Sequence, residues 1–196
     1  MRVGRRPRGN PFSTCHVRPG AIPFAFPAGL DARKLADRLE ARGWRGQVVG
    51  PHGSGKSTLL AALLPELRRR RTVVVVELHE HERHLPATVW SPREGPTLLV
   101  IDGYEQLGWW SRRRVQNHCR RQGWGLLVTA HRELGLPELY RTGVTPELAA
   151  VIVDGLRGDE RPLDTPDLGR RLAHHRGNLR EVLFELYDRY EAGRGV

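Results

Sequence analysis

The stretch Gly50-Pro51-His52-Gly53-Ser54-Gly55-Lys56-Ser57 has the spacing G-x-x-x-x-G-K-[ST], which lets a backbone wrap a chain of phosphates. Glycines at 50, 53 and 55 free the chain to turn its amides inward, and the helix expected next points its positive end at the same anion. In that geometry Lys56 reaches the β- and γ-phosphates, Ser57 holds Mg2+ and Thr58 packs behind. These residues read as a site for ATP or a similar nucleoside triphosphate. Downstream, Leu98-Leu99-Val100-Ile101-Asp102 is four apolar residues followed by an acid. That is the Walker B pattern, a buried strand delivering Asp102 to the magnesium shell beside the loop.

Turnover also needs a group that orients or deprotonates the attacking water. Many P-loop ATPases carry Glu directly after the Walker B acid, but Gly103 stands there in this chain. Glu105 is the nearest candidate, and Gln106 is an alternative that would position water without taking its proton. One strand further on, Gly125-Leu126-Leu127-Val128-Thr129-Ala130-His131 would bring a polar residue beside the γ-phosphate. Thr129 is the first choice for it and His131 the second. Binding is better supported than hydrolysis at this stage.

A scaffold must hold these groups together. Asp31 can cap a helix running to about Arg42, and residues 47–49 form a short buried strand leading into the Gly-rich loop. Residues 57–67 continue as an apolar helix, with Pro65 near its end. The β-branched and apolar runs 73–78, 97–101 and 125–129 read as strands, and 111–122 as a basic helix. Strands alternating with helices predict an α/β fold, a P-loop NTPase parallel sheet sandwiched by helices. Beyond about residue 135 the pattern turns helical, at 146–156, 165–175 and 179–190, with no strong strand. Thr145-Pro146 and Thr165-Pro166 set a capping residue before a first-turn proline. The expected division is an extended basic arm at 1–29, an ATP-binding core at 30–144 and a small helical lid at 145–196.

Leading into the last of those helices stands Gly177-Asn178-Leu179-Arg180-Glu181. With that segment the chain resembles the AAA+ ATPases and their relatives, over about residues 44–192. Their lid often carries G-N-x-R-E, whose arginine reaches back to the γ-phosphate as a second sensor. The resemblance gives Arg180 that role, and gives Thr129 the role of the first sensor. Asp102-Gly103-Tyr104-Glu105-Gln106-Leu107 is also similar to the D-G-L-D-E-L stretch of NACHT and other STAND ATPases, although the usual acidic pair is missing. What the resemblance implies is a Mg2+-dependent ATPase that couples nucleotide state to a macromolecular partner. In such relatives a neighbouring subunit supplies an arginine finger, for which Arg132 and Arg141 are candidates by position. The phosphate loop also looks like that of ABC transporter ATPases, but the L-S-G-G-Q signature they need is absent. No acceptor site or set of lid arginines marks a P-loop kinase.

Composition bounds the remaining possibilities. The chain has 196 residues, 39% of them apolar, enough for one core with a small appendage. No apolar run approaches the roughly 18 residues of a membrane span. An arginine-rich start followed by residues 21–27 faintly suggests a signal peptide, but two prolines break that stretch and the expectation is a cytoplasmic protein. Cys15 and Cys119 are too isolated for a disulfide framework or metal site. His79, His81 and His84 lack zincin spacing and read as a polar loop. With 32 basic against 22 acidic residues the net charge is +10, and only Lys34 and Lys56 are lysines. The clusters 68–71, 112–114 and 120–121 could attract nucleic acid or simply form a solvated surface. Trp109-Trp110 beside Arg112-Arg113-Arg114 could stack on single-stranded nucleic acid, dock a protein, or pack a helix onto the sheet. The alternative to an ATPase is a nucleic-acid-binding module, or a regulatory scaffold using ATP as a switch with little hydrolysis.

Overall fold

A computed structural model of the chain describes residues 10–13, 21–91, 93–157 and 165–193. Contacts divide it into two compact units. One comprises 26–50 and 59–142; the other comprises 51–58 with the described parts of 1–25 and 143–196.

The first unit is built on a sheet. Helix α1 (Ala32–Ala41) begins where Asp31 accepts the Lys34 backbone N–H at 2.7 Å, and buries Leu35, Ala36 and Leu39 along one face. Five strands follow in chain order: β1 (Arg45–Val49), β2 (Thr72–Glu77), β3 (Thr97–Asp102), β4 (Gly125–Ala130) and β5 (Glu138–Arg141). They lie in the order β2-β3-β4-β1-β5, and every neighbouring pair is parallel. The P-loop NTPase α/β fold expected from the alternating pattern is therefore present. Helix α2 (Lys56–Arg70) links β1 to β2, and α3 (Trp109–Arg121) links β3 to β4.

Strand alternation sends side chains to both faces. Leu99, Ile101, Leu126 and Val128 share a core with Val115 and Cys119 of α3 and with Trp124. On β1, a Cβ added to Gly46 would lie 3.0 Å from Leu39 Cδ1 of α1 and 3.3 Å from Leu139 Cβ, so α1 packs close to the strand backbone there. Cys119 is fully buried, and that burial pushes its thiol up to about 11. Because the folded value is raised, the stabilisation it brings is complete below about pH 9. It is lost as pH climbs toward 11, about 2–3 kcal/mol in all. In a Cys15→Ser background, Cys119 is expected to resist a maleimide at pH 8 until denaturant is added; rapid labelling of the native protein would contradict its burial.

Two elements differ from the expectation. Strand β5 is short and preceded by Pro137, so it carried no β-branched run to announce it. Helix α2 continues through Pro65 to Arg70. A proline there removes one backbone bond, but the buried Leu59, Leu60, Leu63 and Leu67 keep the helix anchored on either side of it.

The second unit is helical, with α4 (Pro146–Arg157), α5 (Thr165–His174) and α6 (Leu179–Glu191). Ala149, Val153, Leu168, Leu172, Val182, Leu183 and Leu186 form its core. Arg171 ties α5 to α6, bonding Asp167 at 2.7 Å and also Glu185, which His175 Nε2 meets at 3.0 Å. Residues 10–13 do not behave as an extended arm. Phe12 is fully buried in this core, and Asn10 Nδ2 donates to Tyr187 O at 3.0 Å and to Glu191 Oε1 at 2.9 Å. Arg2, Arg5, Arg6, Arg8 and Cys15 lie outside the described residues. Among the described residues no helix is long and apolar enough to cross a membrane, and no cluster of metal-ligating side chains forms. His79, His81 and His84 are exposed.

Candidate nucleotide site

The phosphate loop carries its curvature in two glycines, Gly53 at φ +64 and Gly55 at φ +93. Side chains other than glycine rarely adopt that region. Lys56 is only 8% exposed, and its Nζ donates to Pro51 O at 2.7 Å. Ser54 Oγ donates to the same carbonyl at 2.8 Å. The loop therefore curls around its own lysine, with a largely desolvated ammonium inside the curve, an arrangement that favours an anionic neighbour. Ser57 and Thr58 follow in the first turn of α2, half-buried.

Gly53 is also where the loop meets the start of α6. A Cβ at Gly53 would fall 1.7 Å from Asn178 Oδ1 and 3.0 Å from the Arg180 backbone nitrogen. No side chain fits there. Most of the G-N-x-R-E segment has a local structural reason. Gly177 turns the chain at φ +81 and its N–H reaches Leu172 O at 2.7 Å, closing α5. Asn178 is the N-cap of α6 and accepts the Glu181 N–H at 3.4 Å. Arg180 has no such reason. Its side chain is exposed and makes no hydrogen bond or ion pair among the described residues, while its backbone sits against the phosphate loop.

The sheet unit supplies the other candidates at the C-terminal ends of its strands, where ligands of parallel sheets bind. Register pairs Ile101 with Val128, so Asp102, the last residue of β3, and Thr129, one before the end of β4, follow at the same level. Thr129 Oγ1 donates to Asp102 Oδ1 and accepts the Gly103 N–H at 2.9 Å. Gly50, closing β1, donates its N–H to Ala130 O at 3.1 Å at the same edge.

Gly103 has φ +81, and a Cβ there would stand 2.6 Å from Leu78 O. A glutamate directly after Asp102 is thus excluded by the backbone. The chain instead makes a short 3-10 turn at Tyr104–Gln106, which carries Glu105 back toward the sheet edge. Its Oε1 meets His131 Nε2 at 3.0 Å, while Oε2 is buried with no hydrogen-bond partner among the described residues. A carboxylate oxygen left in that condition is costly unless something absent from the chain itself bonds it. Glu105 is therefore no exposed turn residue. Arg112 Nη2 fixes the turn by donating to Glu105 O at 2.9 Å, and Tyr104 Oη returns a bond to Arg112 O at 3.2 Å.

Lys56, Ser57 and Arg180 accordingly belong to the helical unit, and Asp102, Thr129 and Glu105 to the sheet unit. The pairing of Glu105 with His131 is not legible in the sequence, because the two residues lie far apart along the chain and only the fold brings them together. The cap at Asn178 was within reach, since an Asn three residues before a Glu marks a helix start. Of the arginine-finger candidates, Arg141 is held by Glu133 at 2.7 Å and by Glu138, whereas Arg132 is exposed without an ion pair among the described residues.

No protein-family model matches the chain, and no curated protein matches it in sequence. Solved structures do. The Walker-type ATPase of Pyrococcus abyssi aligns over 93% of this chain and 72% of its own, at a TM-score of 0.62 and 12% identity. A variant of Thermotoga maritima RuvB aligns over 82% of this chain and 60% of its own, at 0.55 and 19%. Cdc6p of Pyrobaculum aerophilum aligns over 93% and 66%, at 0.53 and 16%. The chain thus spans about 60% of the length of the RuvB variant it matches. At these identities the likeness shows the fold alone, the P-loop NTPase α/β sheet with its flanking helices.

Proposed function

We propose that the chain is a Mg2+-dependent AAA+-like ATPase, active in the cytoplasm, whose nucleotide state is passed to a macromolecular partner. The observation that carries this is the seat of Gly53 against Asn178 and the Arg180 backbone. It supports the reading by packing Gly53 of the loop against the helix start that bears Arg180, whose side chain has no ion pair among the described residues. A γ-phosphate held by that loop would draw the Arg180 side chain inward. Residues 30–144 would act as the ATP-binding core and 145–196 as a lid.

Within this reading the residues divide the work. The backbone of 50–55 and Lys56 bind the phosphates, with Thr58 behind them. Thr129, already bonded to Asp102, orients that carboxylate and reports the γ-phosphate. Glu105 Oε2 accepts a proton from the attacking water, with His131 holding the opposite oxygen. Water oxygen then bonds to the γ-phosphorus as the bond to the β-phosphate oxygen breaks, leaving ADP and phosphate. Ser57 and Asp102 are hard oxygen donors of the kind Mg2+ takes, and each would supply a ligand to the ion. When bound, the ion would neutralise charge on the transferring phosphate.

Arg180→Ala is expected to leave ATP affinity within about threefold while cutting steady-state phosphate release roughly tenfold or more, as loss of a transition-state contact does. Unchanged release would remove Arg180 from the site. The glycine at 103 favours one second reading, a nucleotide switch with little hydrolysis, because the usual acid position is blocked by Leu78 O. Slow release from an ATP-saturated protein would select it.

A further inference from the structure

Helix α3 has the sequence Trp-Trp-Ser-Arg-Arg-Arg-Val-Gln-Asn-His-Cys-Arg-Arg, five arginines and no acid. Its Val115 and Cys119 are buried against the sheet. Arg112 is used internally, bonded to the Glu105 turn. Trp110, Arg113, Arg114, Asn117 and Arg121 recur at i, i+3, i+4, i+7 and i+11, a single stripe on the other side. With Trp90 they line an open groove of about 510 Å3.

The stripe is poorly explained by stability alone. Trp110 is 78% exposed and Trp109 60%, their rings edge to face at 4.4 Å. Expected as one possibility to pack the helix onto the sheet, these tryptophans instead stand in solvent. Arg114 lies 4.9 Å over the Trp90 ring and Arg113 5.8 Å over the Trp109 ring. A guanidinium stacked this way keeps its N–H edges free for a phosphate. Among the described residues none of Arg113, Arg114 and Arg121 has a carboxylate partner. Burial first and Arg114 second lower the pKa of His118, which also lines the groove.

We infer that single-stranded nucleic acid docks along this stripe, phosphates on Arg113, Arg114 and Arg121 and unpaired bases on Trp110 and Trp109. Charge complementarity selects a polyanion, and the exposed indole faces select one whose bases are free to stack. A duplex hides those faces inside its own stack. An acidic protein would answer the arginines but leave the indole faces without flat partners. Neither stacking nor phosphate pairing reads the 2′-hydroxyl, so DNA and RNA strands should bind alike. The inference stands apart from the nucleotide reading.

The test is fluorescence anisotropy of labelled dT20 and rU20 with the full chain. Both strands are expected to bind within about threefold of each other, and Trp110→Ala to weaken both by about tenfold or more. Trp110→Phe should retain most of the affinity. Arg113→Ala with Arg114→Ala should weaken binding and lower the slope of log K against log salt by about 1.4, two single-strand phosphate contacts. Lys56→Ala should bind both strands as the unaltered chain does, which separates this test from any failure of ATP binding. Trp110, Arg113 and Arg114 are on the surface, and an unchanged melting temperature checks that each variant, Lys56→Ala included, folds. Unaltered affinity in Trp110→Ala would overturn the proposal. So would tighter binding of a dT20·dA20 duplex than of dT20, or displacement of the strand by polyglutamate at equal charge.

Discussion

Lys56→Ala is expected to weaken ATP binding by about 100-fold or more. The lysine is 8% exposed and curled inside its loop against Pro51 O. A charge-assisted bond to phosphate from such a desolvated donor contributes about 1.5–3 kcal/mol, and the loss of net attraction adds to it. The loop itself should survive, because Ser54 Oγ still donates to Pro51 O. The fold should also hold, because Leu59, Leu63 and Leu67 anchor α2 independently of its first turn. Titration of a fluorescent ATP analogue, paired with thermal melting, separates lost binding from lost folding. Retained affinity in a folded variant would mean that the loop does not cradle phosphate.

Glu105→Gln is expected to lower turnover by about 100-fold or more while ATP affinity stays within about threefold. The substitution keeps the size of the side chain, so the 3-10 turn, the Arg112 bond to its carbonyl and the contact with His131 can all persist. What it removes is the basicity of Oε2, the oxygen left buried without a bond. An unaltered phosphate-release rate would exclude Glu105 as the base and return attention to Gln106 or His131.

The parts of this site that were legible in the sequence are those set by local chemistry. Glycine spacing announced the loop, apolar runs announced β1 to β4, and Asp31 announced the first helix. What escaped depends on contacts distant along the chain. β5 has only Leu139 buried among its four residues and becomes a strand by pairing with β1. Phe12 sits in a Gly- and Pro-rich stretch with no period, yet fills the core of three helices far along the chain. Pro65 suggested an early end to α2, but buried leucines on both sides outweigh one missing backbone bond. The vacant acid position at 103 was visible, whereas its cause was not, since only the fold brings Leu78 O to 2.6 Å from where a Cβ would stand.

The central claim is that residues 50–58 bind a nucleoside triphosphate, and a titration of the unmodified chain with a fluorescent ATP analogue in Mg2+ tests it most directly. Saturable binding to one site per chain, displaced by unlabelled ATP and ADP, is the predicted result. No saturable binding up to millimolar analogue, in a protein whose melting curve shows it folded, would contradict it.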